Sequence, residues 1–211
     1  MRARSYSVIL SLVCGLAAGP TLRAAEAADS LCVFVDPADP ALAAIRKLGE
    51  RTLDHAATAM VVEIRHELRE SAPALAIGKL HLKNYPLPPA VPGQPAVTAI
   101  RRTSLQLRNP ANAPDAADLA ALELIRNQLE RGDDVASELV QRVTLPGQRP
   151  EWRIYRPLVT LKECLECHGR ADALAPGVAD TLKVFYRSDQ AVDYRTGSWR
   201  GLMRVSITAP P

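Results

Sequence analysis

The hydrophobic period of this chain changes partway along it, and that change restricts it to folds in which helices lead into a sheet. Asp39 followed by Pro40 starts a helix, with an acceptor side chain at the N-cap and a preset dihedral at the first helical position. As far as Glu70, just ahead of Pro73, the residues Ile45, Leu53, Ala56, Met60, Ile64 and Leu68 share one helical face. His55 and His66 fall on the opposite face and are expected in solvent, and Gly49 is expected to loosen or break the helix. A shorter helix over 74–83 carries Ile77 and His81 at i,i+4. It stops ahead of Pro86-Leu87-Pro88-Pro89-Ala90-Val91-Pro92-Gly93, a surface loop because prolines this dense neither continue a helix nor pair inside a sheet. Asn112, Pro114 and Asp115 open a third helix with Leu119, Leu122, Ile125 and Leu129 as its stripe and Gly132 as its stop. Beyond it apolar residues alternate over 140–145 and 152–159, joined by a hairpin at 145–150, and two more strands are predicted over 182–186 and 202–207. Helices followed by antiparallel strands define the α+β class.

The first 27 residues read as a secretory leader: Arg2 and Arg4, an apolar stretch from Val8 to Ala18, then Ala25-Glu26-Ala27 as a cleavage site. The apolar stretch is too short to span a membrane, so cleavage near Ala28 would release a periplasmic protein with no span, residues 28–211 forming one domain. Losing Arg2, Arg4, Arg23 and Glu26 lowers the net charge from +3 to +1, which argues against nucleic acid as a partner. Cys14 leaves with the leader, and Cys32, Cys164 and Cys167 remain.

Two of these stand in Cys164-Leu165-Glu166-Cys167-His168. Thiols at this spacing each add across one vinyl group of a haem, and the next residue becomes the iron's proximal nitrogen ligand, so the motif predicts one covalently attached haem c. The same trio suits zinc or a redox disulfide, but zinc needs a fourth ligand and usually a second paired motif. An exported chain favours haem, because thioether attachment takes place outside the bacterial inner membrane. Haem propionates are costly to bury without basic donors, and Arg101, Arg102 and Arg108, supported by Tyr155, are the expected clamp.

Several stretches resemble the exported c-type haem domains with a PAS-like sensor fold. They are Arg101-Arg102-Thr103-Ser104-Leu105; Arg108-Asn109-Pro110-Ala111-Asn112-Ala113-Pro114-Asp115; Tyr155-Arg156-Pro157-Leu158 ahead of the haem motif and Gly169; and Asp189-Gln190-Ala191, Tyr194 and Arg200-Gly201. The resemblance implies a central antiparallel sheet flanked by N-terminal helices, with haem lodged between them. It also implies a second axial ligand just before the proline-rich loop, where members often carry a cysteine. Here Leu80 stands at or near that place, and the adjacent His81 becomes the leading candidate, ahead of Met60, Met203 and Cys32. Asn109 and Asn112 are expected to hold a turn and cap the following helix.

These residues point to a haem protein that transfers single electrons or senses redox state, CO or NO. Its partner would be a redox protein or a separate signalling protein, since no stretch reads as a kinase or cyclase. A peroxidase would need a polar acid/base group beside an open iron site, and neither outward-facing histidine supplies one, so a non-enzymatic role is expected. The alternative is a haem-free binding module stabilised by zinc or a disulfide.

Overall fold

The structure is a computed structural model that describes residues 31–209 apart from 82–83, 145–146 and 148. The leader and its cleavage site lie outside the described residues, as do the end of the 74–83 helix and parts of the 145–150 hairpin. Five antiparallel strands form one sheet in the order β1-β3-β4-β5-β2: β1 Leu31–Val35, β2 Ala96–Thr103, β3 Leu139–Thr144, β4 Glu151–Val159 and β5 Trp199–Thr208. The helices are α1 Ala43–Glu70, α2 Pro73–Leu80, α3 Ala116–Arg131, the single turn α4 Leu165–His168, and α5 Val178–Phe185. This is the expected α+β class with a central antiparallel sheet.

The Asp39 side chain accepts from Ala41 N at 2.9 Å and caps a short 3-10 turn that leads into α1. That helix runs unbroken for 28 residues, with His55 and His66 exposed as its stripe dictates. Gly49 does not interrupt it: a Cβ there would sit 2.2 Å from Ile154 Cδ1, so glycine lets α1 close onto β4. Ile154, Met203, Val205 and Ile207 then pack under Leu53 and Ala56 in the main core.

The segment 182–186, expected as a strand, instead forms the second half of α5 and its C-cap, Tyr186. Val178, Leu182 and Tyr186 recur at i,i+4,i+8 and pack together with Ile77, a pattern that a five-residue window cannot tell from a strand. Strands β1 and β2 were not signalled by alternation. Both are edge strands, and β2 carries Thr98, Arg101 and Arg102 among its apolar residues.

Helix α3 covers the opposite face of the sheet, with Ala121, Leu122 and Ile125 against Leu139, Tyr155 and Leu202. Its buried face is rotated from the expected stripe, leaving Leu119 and Leu129 exposed while Ala117 and Asp118 turn inward. The cap is Asp115 and not Asn112: Asp115 accepts from Asp118 N at 2.9 Å, and Gly132, in the left-handed region at φ 71°, closes the helix. Asn109 does hold a turn, accepting from Ala111 N at 2.9 Å.

The inward turn of α3 builds a buried ionic network. Asp118, fully buried, accepts from Arg204 Nη1 at 2.8 and 2.9 Å, from Arg153 Nη1 at 3.3 Å and from Tyr155 Oη at 3.1 Å. Tyr155 Oη also lies 2.9 Å from Gln141 Oε1, yet one phenol proton cannot serve two acceptors, and Gln141 Nε2 is buried without a partner. Turning the Gln141 amide over satisfies both groups: the amide donates to Tyr155, and Tyr155 donates to Asp118.

Burial alone would raise the Asp115 carboxyl. The Arg153 guanidinium at 2.7 Å, the Asp118 N–H and Arg204 outweigh it and hold the group below its usual value of 3.8. A depressed carboxylate contributes stability above its unfolded pKa and loses it as pH falls through the folded value. Acid unfolding monitored by circular dichroism should therefore begin at higher pH for Asp115→Asn than for the native chain, with a shallower slope below 3.8. Identical acid limbs would show that Asp115 contributes nothing through its charge.

Candidate functional site

After β4 the chain turns through Lys162–Cys164 into α4, whose four residues end on the histidine of the Cys-x-x-Cys-His motif. Gly169 follows because a Cβ at that position would meet the Leu165 carbonyl oxygen at 2.5 Å. Residues 189–194 run beside this turn. Tyr194 N donates to His168 O at 3.0 Å, Asp193 N to Gly169 O at 2.8 Å, and Gln190 N to Leu107 O at 2.8 Å. One short segment thus ties the motif to the loop that follows β2.

His168 Nδ1 lies 2.8 Å from the Ala191 carbonyl oxygen, which can only accept. Nδ1 therefore carries the proton, and Nε2 keeps its lone pair. Burial, and then the nearby guanidiniums of Arg108 and Arg200, hold the imidazole well below its ordinary pKa and thus neutral, the state a metal ligand requires. The Tyr194 ring stands edge-on to it, with centroids 6.2 Å apart.

The motif opens onto a cavity of about 300 Å³ between the second half of α1, the end of α2 and one end of the sheet. Met60, Ile64, Leu68, Ile77 and Leu182 give it apolar walls, and Cys164, Cys167 and His168 line it together. Both cysteines are free thiols, and burial pushes the Cys167 thiol up. His81, also in the wall, stacks on Phe185 with ring centroids 4.1 Å apart. At the end of β2 the lining turns basic, with Arg102, Arg108 and Arg200. Arg108 is neutralised by Asp189 at 2.9 Å, whereas neither Arg102 nor Arg200 has a carboxylate partner among the described residues. Arg102 instead reaches Met60 Sδ and stands over the Tyr85 ring, and Arg200 donates to Ser104 Oγ at 2.6 Å and faces Tyr194.

The cavity thus gathers Cys164, Cys167, His168, His81, Met60, Arg102 and Arg108 from the sequence reading. It does not gather the rest. Arg101 points to the other face of β2 and donates to Ala111 O at 2.6 Å, because successive strand residues alternate sides. Tyr155 is buried under α3 for the same reason, which removes it from the expected clamp. Met203 is buried beneath α1, and Cys32 sits on β1, at the opposite edge of the sheet from β2. Arg200 joins the lining as a basic group that the expected clamp does not include. Its signal was the following glycine: Gly201 adopts φ 143°, and a Cβ there would lie 2.2 Å from Thr103 O, so glycine lets the start of β5 press against the end of β2.

The lining asks for a particular kind of guest: apolar in its body, able to accept a nitrogen lone pair, open to two thiols, and anionic at one end. That donor set fits a haem. An α+β domain whose Cys-x-x-Cys-His turn opens on such a cavity is the class that fold and site define. The chain belongs to the Tll0287-like family, whose model matches residues 57–208, from within α1 to the end of β5. Among solved structures, the cyanobacterial heme-protein Tll0287 aligns at a TM-score of 0.39 and 25% identity, over 51% of this chain and 59% of that one. No curated protein matches the chain.

Proposed function

We propose that this chain is an exported monohaem c-type protein that transfers single electrons or senses redox state or a diatomic gas. The observation that carries this reading is the state of His168: Nδ1–H is committed to Ala191, so Nε2 keeps its lone pair, with Arg108 Nη1 3.5 Å away, on a residue that lines the cavity together with both motif thiols. Once attached, the haem would supply one-electron exchange at its iron. Cys164 and Cys167 would retain it covalently, and His168 would hold the iron from the proximal side.

Arg102 and Arg200, free of carboxylate partners among the described residues, are the groups suited to receive the propionates. His81 is the proposed second ligand, held at the end of α2 by its own N–H to Ile77 O at 2.9 Å and by the Phe185 stack. Met60 stands in the same cavity as the competing donor. A zinc-stabilised module fits less well, since a zinc ion would leave the apolar walls of a cavity of about 300 Å³ unfilled. No described helix is long and apolar enough to cross a membrane. The leader read from the sequence would direct release into the periplasm. There a redox protein or a separate signalling protein would be the partner.

The deciding experiment is the visible spectrum of protein expressed with haem-attachment machinery, oxidised, reduced and reduced under CO. A c-type α band that ignores CO favours electron transfer, and a CO-shifted Soret band favours sensing. A colourless protein would end the haem reading. His81→Ala should convert a CO-insensitive spectrum into a CO-sensitive one, and a spectrum unchanged by that substitution would pass the role to Met60.

A further inference from the structure

The Arg108 guanidinium does more than line the cavity. Nη2 donates to Cys167 O at 2.6 Å and to Ala191 O at 2.9 Å, Nε donates to Asp189 at 3.1 Å, and Nη1 stands 3.5 Å from His168 Nε2. The Ala191 oxygen is also the acceptor of His168 Nδ1–H, so a single carbonyl serves both the cation and the imidazole. The side chains of Arg108 and Asp189 are only 11% and 12% exposed, so water screens this arrangement weakly. We propose that Arg108 is a positioning residue that locks the rotation of the His168 ring and sets the reduction potential of the iron His168 would hold. The proposal rests on the haem reading.

Two physical effects act in the same direction. A carbonyl already polarised by a guanidinium pulls less on Nδ1–H, so the imidazole donates less electron density through Nε2. A fixed positive charge beside the ring also disfavours the more positive, oxidised iron. Both raise the potential. Asp189 opposes the second effect through its charge on Arg108, and its Oδ1 also accepts from Ala191 N at 2.9 Å, a bond that asparagine can keep. Lysine at position 108 would keep the charge and lose the fork that spans three acceptors at once.

The test uses the full haem-loaded chain with Arg108→Gln, Arg108→Lys and Asp189→Asn, each checked for folding by circular dichroism. The first readout is the spectroelectrochemical midpoint. Arg108→Gln should change the reduced-to-oxidised ratio at a fixed applied potential about tenfold toward oxidised, about 59 mV for a one-electron couple. Asp189→Asn should move it the other way, and Arg108→Lys should fall between Arg108→Gln and the native chain. The second readout is the 15N spectrum of the His168 ring in haem-free protein: the native chain should show one tautomer, protonated on Nδ1, and both Arg108 variants a mixture, because the guanidinium that faces Nε2 and holds the Ala191 carbonyl in place is gone. A coloured Arg108→Gln protein with the native midpoint and a single tautomer would overturn the proposal and leave the haem reading standing. A native chain that takes up no haem would overturn the haem reading, and the ring spectra would still decide the positioning role.

Discussion

Replacing Cys164 and Cys167 together by alanine should take covalently held haem from complete retention to none. After denaturation and acid extraction into an organic solvent, colour should stay with the native chain and leave the double variant. Each single variant should keep one thioether, with its reduced α band displaced because one vinyl group remains conjugated to the ring. The two thiols line the cavity that His168 faces, so neither substitution disturbs the Nδ1–H to Ala191 bond. Cys167 also packs against the Ile77, Val178, Leu182 cluster, so a small loss of stability should accompany its removal and not that of Cys164. A double variant whose colour survives extraction would refute thioether attachment.

Asp118→Ala should be the most damaging single change to the fold itself. Its carboxylate is fully buried and receives two guanidiniums and a phenol, and alanine would leave Arg204, 4% exposed, without its main counter-charge. Breaking a buried pair from one side costs about 3–5 kcal/mol. For a chain of this size that lowers the melting temperature on the order of 10 °C. Asp118→Asn keeps an acceptor and should lose less. The network lies on the α3 face, across the sheet from the cavity, so the haem spectrum of a folded Asp118 variant should match the native one. A loss under about 1 kcal/mol would mean that Asp115, which also contacts Arg204 and Arg153, carries the compensation alone.

The string from Arg108 to Asp115 explains why one motif could be noticed without its parts being assigned. Arg108 faces the cavity and holds the His168 turn, whereas Asp115 caps α3 and meets Arg153 on the other side of the sheet. Eight consecutive residues thus serve two faces. Their spacing shows that they belong together and does not show which face each one joins. The same ambiguity separated Arg101 from Arg102: without β2 being legible as a strand, nothing in the sequence told which of two adjacent arginines turns toward the cavity.

Local chemistry in the sequence was enough for the Cys-x-x-Cys-His turn, the long α1 with its apolar stripe, the start and stop of α3, and the α+β class with an antiparallel sheet, whereas the expected order of helices first and strands after gave way to strands interleaved with helices. Each of these depends on residues a few positions apart, and short-range sterics and hydrogen bonding do not need the rest of the fold. What only the tertiary structure decided was which distant residues meet: Ala191 with His168, Arg200 with Arg102 at one cavity end, Tyr155 with Asp118 away from it, and the helical state of 178–185. Those contacts follow from strand order and from the side on which each strand residue emerges. Both are set by burying two apolar faces at once, a condition that no local stretch of sequence expresses.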